Sequence, residues 1–481
     1  MSEITTLPPT EVWRQFDAIT RVPRPSKKEG KIIAFLEKFA SRRSLACRKD
    51  SAGNILISKP ASAGYEDRPA VTLQSHMDMV CEKNSDVHFD FDNDPIQAYI
   101  DGEWVRARGT TLGADCGIGM AAALAVLASD DLKHGPVSAL FTVDEETGLT
   151  GAFNLGEGMI QGHYLINLDS EDEGEIFIGC AGGIDTVARF GFRREPLPAG
   201  YRTFEIRISG LKGGHSGDNI GDALGNSNKI MARLLFDGII NKGVRLCGLN
   251  GGNLRNAIPR EAVATVAVPE SAVSEFKTDF ETLGSQIADE LKDTDPGLAV
   301  SLTEHPAGEA IDATSARNLI YALAGVPNGV LEMSRSVAGL VQTSTNLASV
   351  KEDGDRIVVS TSQRSSVESE KIMAARSVES VFALAGAEVS HSDGYPGWAP
   401  DPHSRLLSIT EQCYFSLFDT PCKVKAIHAG LECGLFLKKY PHLEMVSFGP
   451  TLRGVHSPDE RLEISTVDKF WRLLVAVLEK I

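Results

Sequence analysis

The chain has 481 residues, too many for one hydrophobic core, so two domains are expected. Hydrophobic residues make up 42% and charged residues 23%, ordinary values for a soluble globular protein. The 48 Lys+Arg against 65 Asp+Glu give a formal charge of -17, which argues against a nucleic-acid partner, because phosphates demand a basic face.

The opening "MSEITTLPPTEVWRQF" lacks a basic segment followed by an apolar one and does not read as a secretory signal. In chain order, "EGKIIAFLEKFASRR" has helical spacing, and "NILISKP" and "PAVTLQSHMDMV" read as strands. "GIGMAAALAVLAS" predicts a helix, but its apolar part is too short to span a bilayer, so no membrane partner is expected. "VSALFTVDEE" predicts a strand, and "YLINLDSEDEGEIFIG" two strands around an acidic turn. Such alternation predicts an α/β layer fold with a mixed, mostly parallel sheet flanked by helices.

Near Gly182-Gly183 the texture changes to polar–apolar alternation, as in "YRTFEIRISGLKGGHSG". Helical "SNKIMARLLFDGII", strands "VRLCGLNGG" and "EAVATVAV", and helical "SAVSEFKTDFETLGSQIADELKD" follow. A similar series comes next, with strands in "NLASVKEDGDRIVVSTSQRSS" and a helix in "ESEKIMAARSVESVFALAG". This predicts an inserted α+β domain of two ferredoxin-like halves in tandem. After Pro396-Gly397 the α/β texture returns through "CKVKAIHA", "LECGLFLKKY", "LEMVSFGP" and a closing helix. The predicted division is 1-184 and 396-481 for the outer domain and 185-395 for the insertion. The eight cysteines are scattered without a CxxC pair, which excludes a thiolate zinc knot and fits reduced thiols in the cytoplasm.

Five places in the outer domain carry metal-ligand chemistry. His76 and Asp78 in "QSHMDMV" lie two apart on a strand and face one side, a spacing that suits a ligand and the carboxylate that orients it. A polar strand end is the plainer explanation. Asp115 in "TLGADCGIG" precedes a helix and on its own would pass for an N-cap. Glu145 and Glu146 in "FTVDEETG" end an apolar run in three acids, which would be a solvated turn if no cation faced them. Asp169 in "YLINLDSEDEG" and His456 in "SFGPTLRGVHSPDE" also lie beyond strands. Jointly, two histidines and several carboxylates at strand ends suit a pair of divalent ions with mixed nitrogen and oxygen ligands. Of two adjacent glutamates, one can bind metal while its neighbour moves a proton.

With "SHMDMV", "TLGADCGIG", "DEETGLTGA", "LINLDSED", "GLKGGHSG", "GGNLRNAIP", "HAGLECG" and "GVHSPDE" together, the chain resembles the dimetal metallopeptidases of the aminoacylase and dipeptidase superfamily. Within it, the sequence is most similar to the bacterial aminoacyl-histidine (Xaa-His) dipeptidases over essentially its whole length. The resemblance implies a catalytic domain, an inserted lid, and hydrolysis of dipeptides such as β-Ala-His, with an aminoacylase or tripeptidase of the same superfamily as the alternative. It implies that His76, Asp115 and Asp169 hold one ion, and that Asp115, Glu146 and His456 hold the other. The ions would be Zn2+, with Co2+ or Mn2+ as alternatives. Glu145 would be the general base, and Asp78 would orient His76. In the lid, His215 would steady the oxyanion, and Asn256, Arg364 and Gly430 would take the substrate's C-terminal carboxylate, with Arg255 competing with Asn256. An exposed edge of the lid sheet suggests a homodimer through the lid. One departure is Cys116: in the superfamily an acid or Asn commonly follows the bridging aspartate, often across a cis peptide. A buried small residue is the plainer reading of Cys116.

Overall fold

Four apolar runs, Val137–Thr142, Val71–His76, Tyr164–Asn167 and Glu444–Ser447, lie side by side as parallel strands. The first three are buried along their whole length, as parallel strands covered on both faces must be. The sheet continues with Ile55–Lys59 and Ala46–Lys49, antiparallel beyond Val137–Thr142. On the other side Glu175–Cys180 and Lys423–Ile427 complete eight strands. This is the computed structural model of the chain, and it describes residues 2–306 and 308–481.

The Ala114–Ala128 helix is apolar almost all round and packs on Val71–His76 and Val137–Thr142, with Thr10–Thr20 against it. Ile464–Lys480 buries one face and packs against Arg405–Phe418. One feature differs from the sequence reading. "VSALFTVDEE" is not strand to its end: the strand stops at Thr142, and Glu145–Gly148 is a short helical turn entered through Asp144 at a left-handed φ of 50°. Among the described residues, no helix is long and apolar enough to cross a membrane.

The chain divides into two compact units. Unit 1 comprises Met1–Gly179, Pro400–Ala426 and Glu432–Ile481, and unit 2 comprises Cys180–Ala399 and Ile427–Leu431. Sequence texture puts the breaks a few residues further in and leaves 427–431 with the outer domain. That short segment joins unit 2 because the Ala181 amide donates to the carbonyls of Ile427 and Ala429, each at 3.0 Å.

Unit 2 is built on one nine-stranded sheet. Its first half, Tyr201–Ser209, Ser227–Asn241, Arg245–Gly251, Ala262–Pro269, Val273–Glu290 and Ala299–Glu304, has the β-α-β-β-α-β order of a ferredoxin-like unit. The second half has the same order in Gly182–Gly191, Ala313–Gly325, Val341–Asp353, Arg356–Ser365, Glu368–Leu384 and Glu388–His391. The halves are nested rather than in tandem, since the first is inserted after the opening strand of the second. Gly182–Gly191 pairs with Arg356–Ser365, far away in sequence, and local texture carries no trace of that pairing. The halves meet where Gly251 pairs with Val350.

Candidate metal centre

Register brings the carboxyl ends of the four parallel strands to one edge, with His76 opposite Thr142, Gln74 opposite Asn167, and Asn167 opposite Ser447. Ligands of open α/β sheets collect at such edges. A buried polar row runs beneath it. Gln74 Nε2 donates to Thr142 Oγ1 (3.2 Å) and to Glu432 Oε2 (2.6 Å). Asn167 Nδ2 donates to Gln74 Oε1 (2.5 Å), and Ser447 Oγ donates to Asn167 Oδ1 (2.5 Å). His76 ends its strand, Glu145, Glu146, Asp169 and His456 follow the ends of theirs, and Asp115 stands in the first turn of the Ala114–Ala128 helix.

Asp115 is the point of convergence. Its Oδ1 lies 2.9 Å from His76 Nε2, and its Oδ2 lies 3.2 Å from His456 Nε2. His76 Nε2 is also 3.4 Å from Asp169 Oδ1, and His456 Nε2 is 3.0 Å from Glu146 Oε2. Each oxygen of one carboxylate therefore belongs to a separate set, His76–Asp169 on one side and His456–Glu146 on the other. Glu145 joins the same cluster, within 4.8 Å of ligand atoms of His76 and Glu146. Glu146 Oε1 is buried and, among the described residues, has no hydrogen-bond partner. An orphaned buried carboxylate oxygen beside two imidazoles and three further carboxylates suits divalent cations with mixed nitrogen and oxygen ligation. His456 is held at a left-handed φ of 62°, a strained conformation of the kind that gathers at functional sites.

Asp78 ties two parts of the cluster together. Its Oδ1 faces His76 Nδ1 at 3.4 Å and accepts the Glu145 amide at 3.0 Å, while its Oδ2 accepts from Ser26 Oγ at 2.8 Å and from the Glu146 amide at 3.3 Å. Burial alone would raise its carboxyl, but His76, Ser26 and the Glu145 amide bring it down to about 2. Burial pushes Glu145 well above the usual carboxylate range, and Asp169, Glu432 and Glu146 add to this against His76. Hydrogen bonds to Asp115 and Glu146 hold the His456 imidazole up at about 11. Asp144 builds the turn, accepting from the hydroxyls of Thr147 and Thr150, and its carboxylate lies beside those of Glu29 and Asp78. The Asp115–Cys116 peptide is cis. Cys116 is buried, its Sγ 3.3 Å from the Leu168 carbonyl, and it lies beside His76 and Asp169.

A second cluster lies within unit 2. His215 pairs in register with Ala257, and the Ser216 amide donates to the Asn256 carbonyl at 2.8 Å. His215 Nδ1 lies 3.0 Å from Asp218 Oδ2. Arg364 donates through Nη1 to the Tyr395 hydroxyl at 3.1 Å, and its buried Nε has no partner among the described residues. A Cβ on Gly430 would fall 2.8 Å from the Tyr395 ring, and one on Gly217 would fall 2.4 Å from the His428 carbonyl. His428 Nε2 lies 2.7 Å from Ser344 Oγ. Arg255 points to an exposed ion pair with Asp185 at 2.7 Å.

The structure thus gathers His76, Asp78, Asp115, Glu145, Glu146, Asp169 and His456 in unit 1, and His215, Asn256, Arg364 and Gly430 in unit 2. Sequence reasoning misses Tyr395, His428 and Glu432, and two buried charges flanking the Asp115 turn, Arg24 and Glu460. Glu460 stands inside "GVHSPDE" and was within reach of the motif; Arg24 sits in "VPRPS", where nothing local marks it.

The model of peptidase family M20/M25/M40 matches residues 72–480. The chain belongs to this family. Over its full length it is 45% identical to the cytosol non-specific dipeptidase of Escherichia coli K12, covering 99% of that protein. It is 44% identical to the crystal structure of aminoacylhistidine dipeptidase from Vibrio alginolyticus, covering 100% of this chain and 98% of that one, with a TM-score of 0.96. The aminopeptidase PepT of Bacillus cereus, 16% identical with 98% and 99% of the chains covered, has a TM-score of 0.60 and so shares the family fold.

Proposed function

We propose that the protein is a dinuclear-metal dipeptidase that cleaves unblocked dipeptides, Xaa-His dipeptides such as β-Ala-His among them. The observation that carries this reading is the division of the Asp115 oxygens between His76 and His456. His76, Asp115 and Asp169 would hold one cation and Asp115, Glu146 and His456 the other, with Zn2+ first and Co2+ or Mn2+ as alternatives. Bound there, the cations would supply Lewis acidity, polarising the scissile carbonyl and acidifying water.

The chain's own residues do the rest. Glu145 takes a proton from the attacking water and gives it to the leaving amine, and its raised proton affinity suits that traffic. Asp78 fixes the His76 ring and the turn that presents Glu145. Unit 2 is the lid. Its Arg364, whose buried Nε has no partner among the described residues, takes the substrate's C-terminal carboxylate together with Asn256 and Gly430. His215 donates to the oxyanion as charge develops. The similarity to a non-specific dipeptidase and to an aminoacylhistidine dipeptidase supports this substrate class. A homodimer through the lid, acting in the cytosol, completes the reading.

Purified protein assayed on β-Ala-His, Gly-His and Leu-Gly, with and without chelator, tests it. Acetylated amino acids and tripeptides serve as rival substrates. Turnover of the dipeptides that chelator abolishes and Zn2+, Co2+ or Mn2+ restores is the expected result. Preference for acetylated amino acids would reassign the chain to the aminoacylases.

A further inference from the structure

Asp115 stands on a turn that departs from helical geometry, with φ/ψ of -79/117° at Asp115 and -97/34° at Cys116. Something must hold that turn in place. On its amide side a single carboxylate does so. Glu460 Oε2 accepts from the Leu112 (2.7 Å) and Gly113 (3.0 Å) amides, and Oε1 accepts from Ala114 (2.7 Å) and Asp115 (3.3 Å). The unpaired N–H groups at a helix start are ordinarily met by several different partners. Here four successive ones converge on one side chain that is only 2% exposed.

On the carbonyl side stands a guanidinium. Arg24, 1% exposed, donates through Nη2 to the Gly113 carbonyl and through Nη1 to those of Met77 (3.2 Å) and Asp78 (2.6 Å). A Cβ at Gly113, whose φ is +69°, would lie 2.6 Å from Arg24 Nη2, and one at Gly117 2.7 Å from it, so a side chain at either position would crowd the buried guanidinium. Arg24 therefore joins the turn to the segment that follows His76. Glu460 joins the same turn to the loop that carries His456, four residues before it.

We infer that Arg24 and Glu460 are positioning residues, a buried two-sided clamp that sets the orientation of the Asp115 carboxylate relative to both His76 and His456. The inference rests on the reading of Asp115 as the carboxylate shared by two cations. Because both half-sites use Asp115, loosening the clamp weakens both ions together, whereas loss of a ligand such as His456 weakens chiefly one.

The test is a titration of metal-free full-length protein with Zn2+, read by calorimetry, and with Co2+, read by its visible absorption bands. Wild type, Glu460→Gln, Arg24→Gln and Asp50→Asn are compared. Asp50 is the matched control, accepting the amides of Ala52, Gly53, Asn54 and Gly156 in a turn that carries none of the candidate ligands. Glu460→Gln and Arg24→Gln are expected to weaken both binding steps about 10–100-fold and to alter the cobalt bands. In the same variants kcat falls while KM for a dipeptide stays near wild type. Asp50→Asn should lower the unfolding temperature and leave both binding steps alone. Two ions bound with wild-type affinity by Glu460→Gln, or equal weakening in Asp50→Asn, would overturn the clamp. A wild-type chain that binds fewer than two ions would instead overturn the shared-carboxylate reading. If Gln at either position prevents folding, Glu460→Asp and Gly117→Ala carry the same expectation, because they shorten the acceptor or crowd Arg24 without deleting a charge.

Discussion

Asp78 holds Glu145 by its backbone, its Oδ1 accepting the Glu145 amide at 3.0 Å. The same Oδ1 stands 3.4 Å from His76 Nδ1, so one side chain touches both the ring and the turn. Asp78→Asn replaces an anion by a neutral amide whose NH2 can face the donors. Activity on β-Ala-His should fall about 10–100-fold, with metal content reduced rather than abolished. Steady-state kinetics beside elemental analysis check this, and a variant with wild-type kcat would remove Asp78 from the mechanism.

Glu145 and Glu146 are adjacent, yet the structure gives them different neighbours. Glu146 lies 3.0 Å from His456, and among the described residues Glu145 makes no such pair. Glu145→Gln should retain both metals and lose turnover by about 10²–10⁴-fold. Glu146→Gln should lose one metal. Metal stoichiometry after dialysis, set against kcat, separates the two roles.

Removing metal should also cost stability. Without cations, Asp115, Glu145, Glu146 and Asp169 crowd together, with the imidazoles of His76 and His456 beside them. At a free metal concentration a hundred times Kd, each ion contributes about 2.7 kcal/mol. The unfolding midpoint should drop in chelator and recover on adding Zn2+, Co2+ or Mn2+. A midpoint indifferent to chelator would count against any bound ion.

Arg364 offers a buried guanidinium Nε that has no partner among the described residues. Arg364→Ala should raise KM for unblocked dipeptides about 10–100-fold, as expected for loss of a hydrogen bond to a charged group. Dipeptide amides, which lack the carboxylate, should be hydrolysed poorly by wild type and little worse by the variant. Equal losses on both substrates would assign Arg364 to folding instead.

His428, in unit 2, supplies a pH dependence of its own. Burial and the neighbouring Arg364 and His215 lower its proton affinity to about 4, against the opposing pull of Asp218 and the Val341 backbone, and Ser344 hydrogen-bonds its ring. Above pH 6.5 the ring is neutral in both folded and unfolded chains and contributes nothing. As pH falls from 6.5 towards 4, only the unfolded chain takes up the proton, so stability declines. Below 4 the full penalty, about 3 kcal/mol, is in place. Urea unfolding from pH 7 to pH 4 should show a shallower decline for His428→Gln, and parallel curves would exonerate His428.

The clustered residues of unit 1 were legible jointly, as acids and histidines at or just beyond strand ends in motifs that resemble a known family, although each has a plainer explanation on its own. Their division into two sets about Asp115 was not legible in spacing alone, because it depends on loops that meet across the edge of a sheet. Arg24 and Glu460 are the sharper case. A buried charge whose partners are backbone carbonyls and amides leaves no complementary residue in the sequence to betray it. The nested halves of unit 2 were hidden for a related reason. Alternation marks Gly182–Gly191 as a strand but cannot say that its neighbour begins at Arg356. The early end of the Val137–Thr142 strand follows from Asp78, Thr147 and Thr150, whose hydrogen bonds favour a turn that local apolarity does not foretell.

The polar row of Thr142, Gln74, Asn167 and Ser447 has a bearing on how the chain reaches this state at all. Purely apolar strands can slide past one another by two residues and still bury grease on both faces. With amides and hydroxyls threaded through the interior, any such offset would leave donors and acceptors stranded, each at a cost of about 1–3 kcal/mol. The row acts as a notched key: a misaligned assembly is rejected during folding, before its loops are ever asked to meet a substrate.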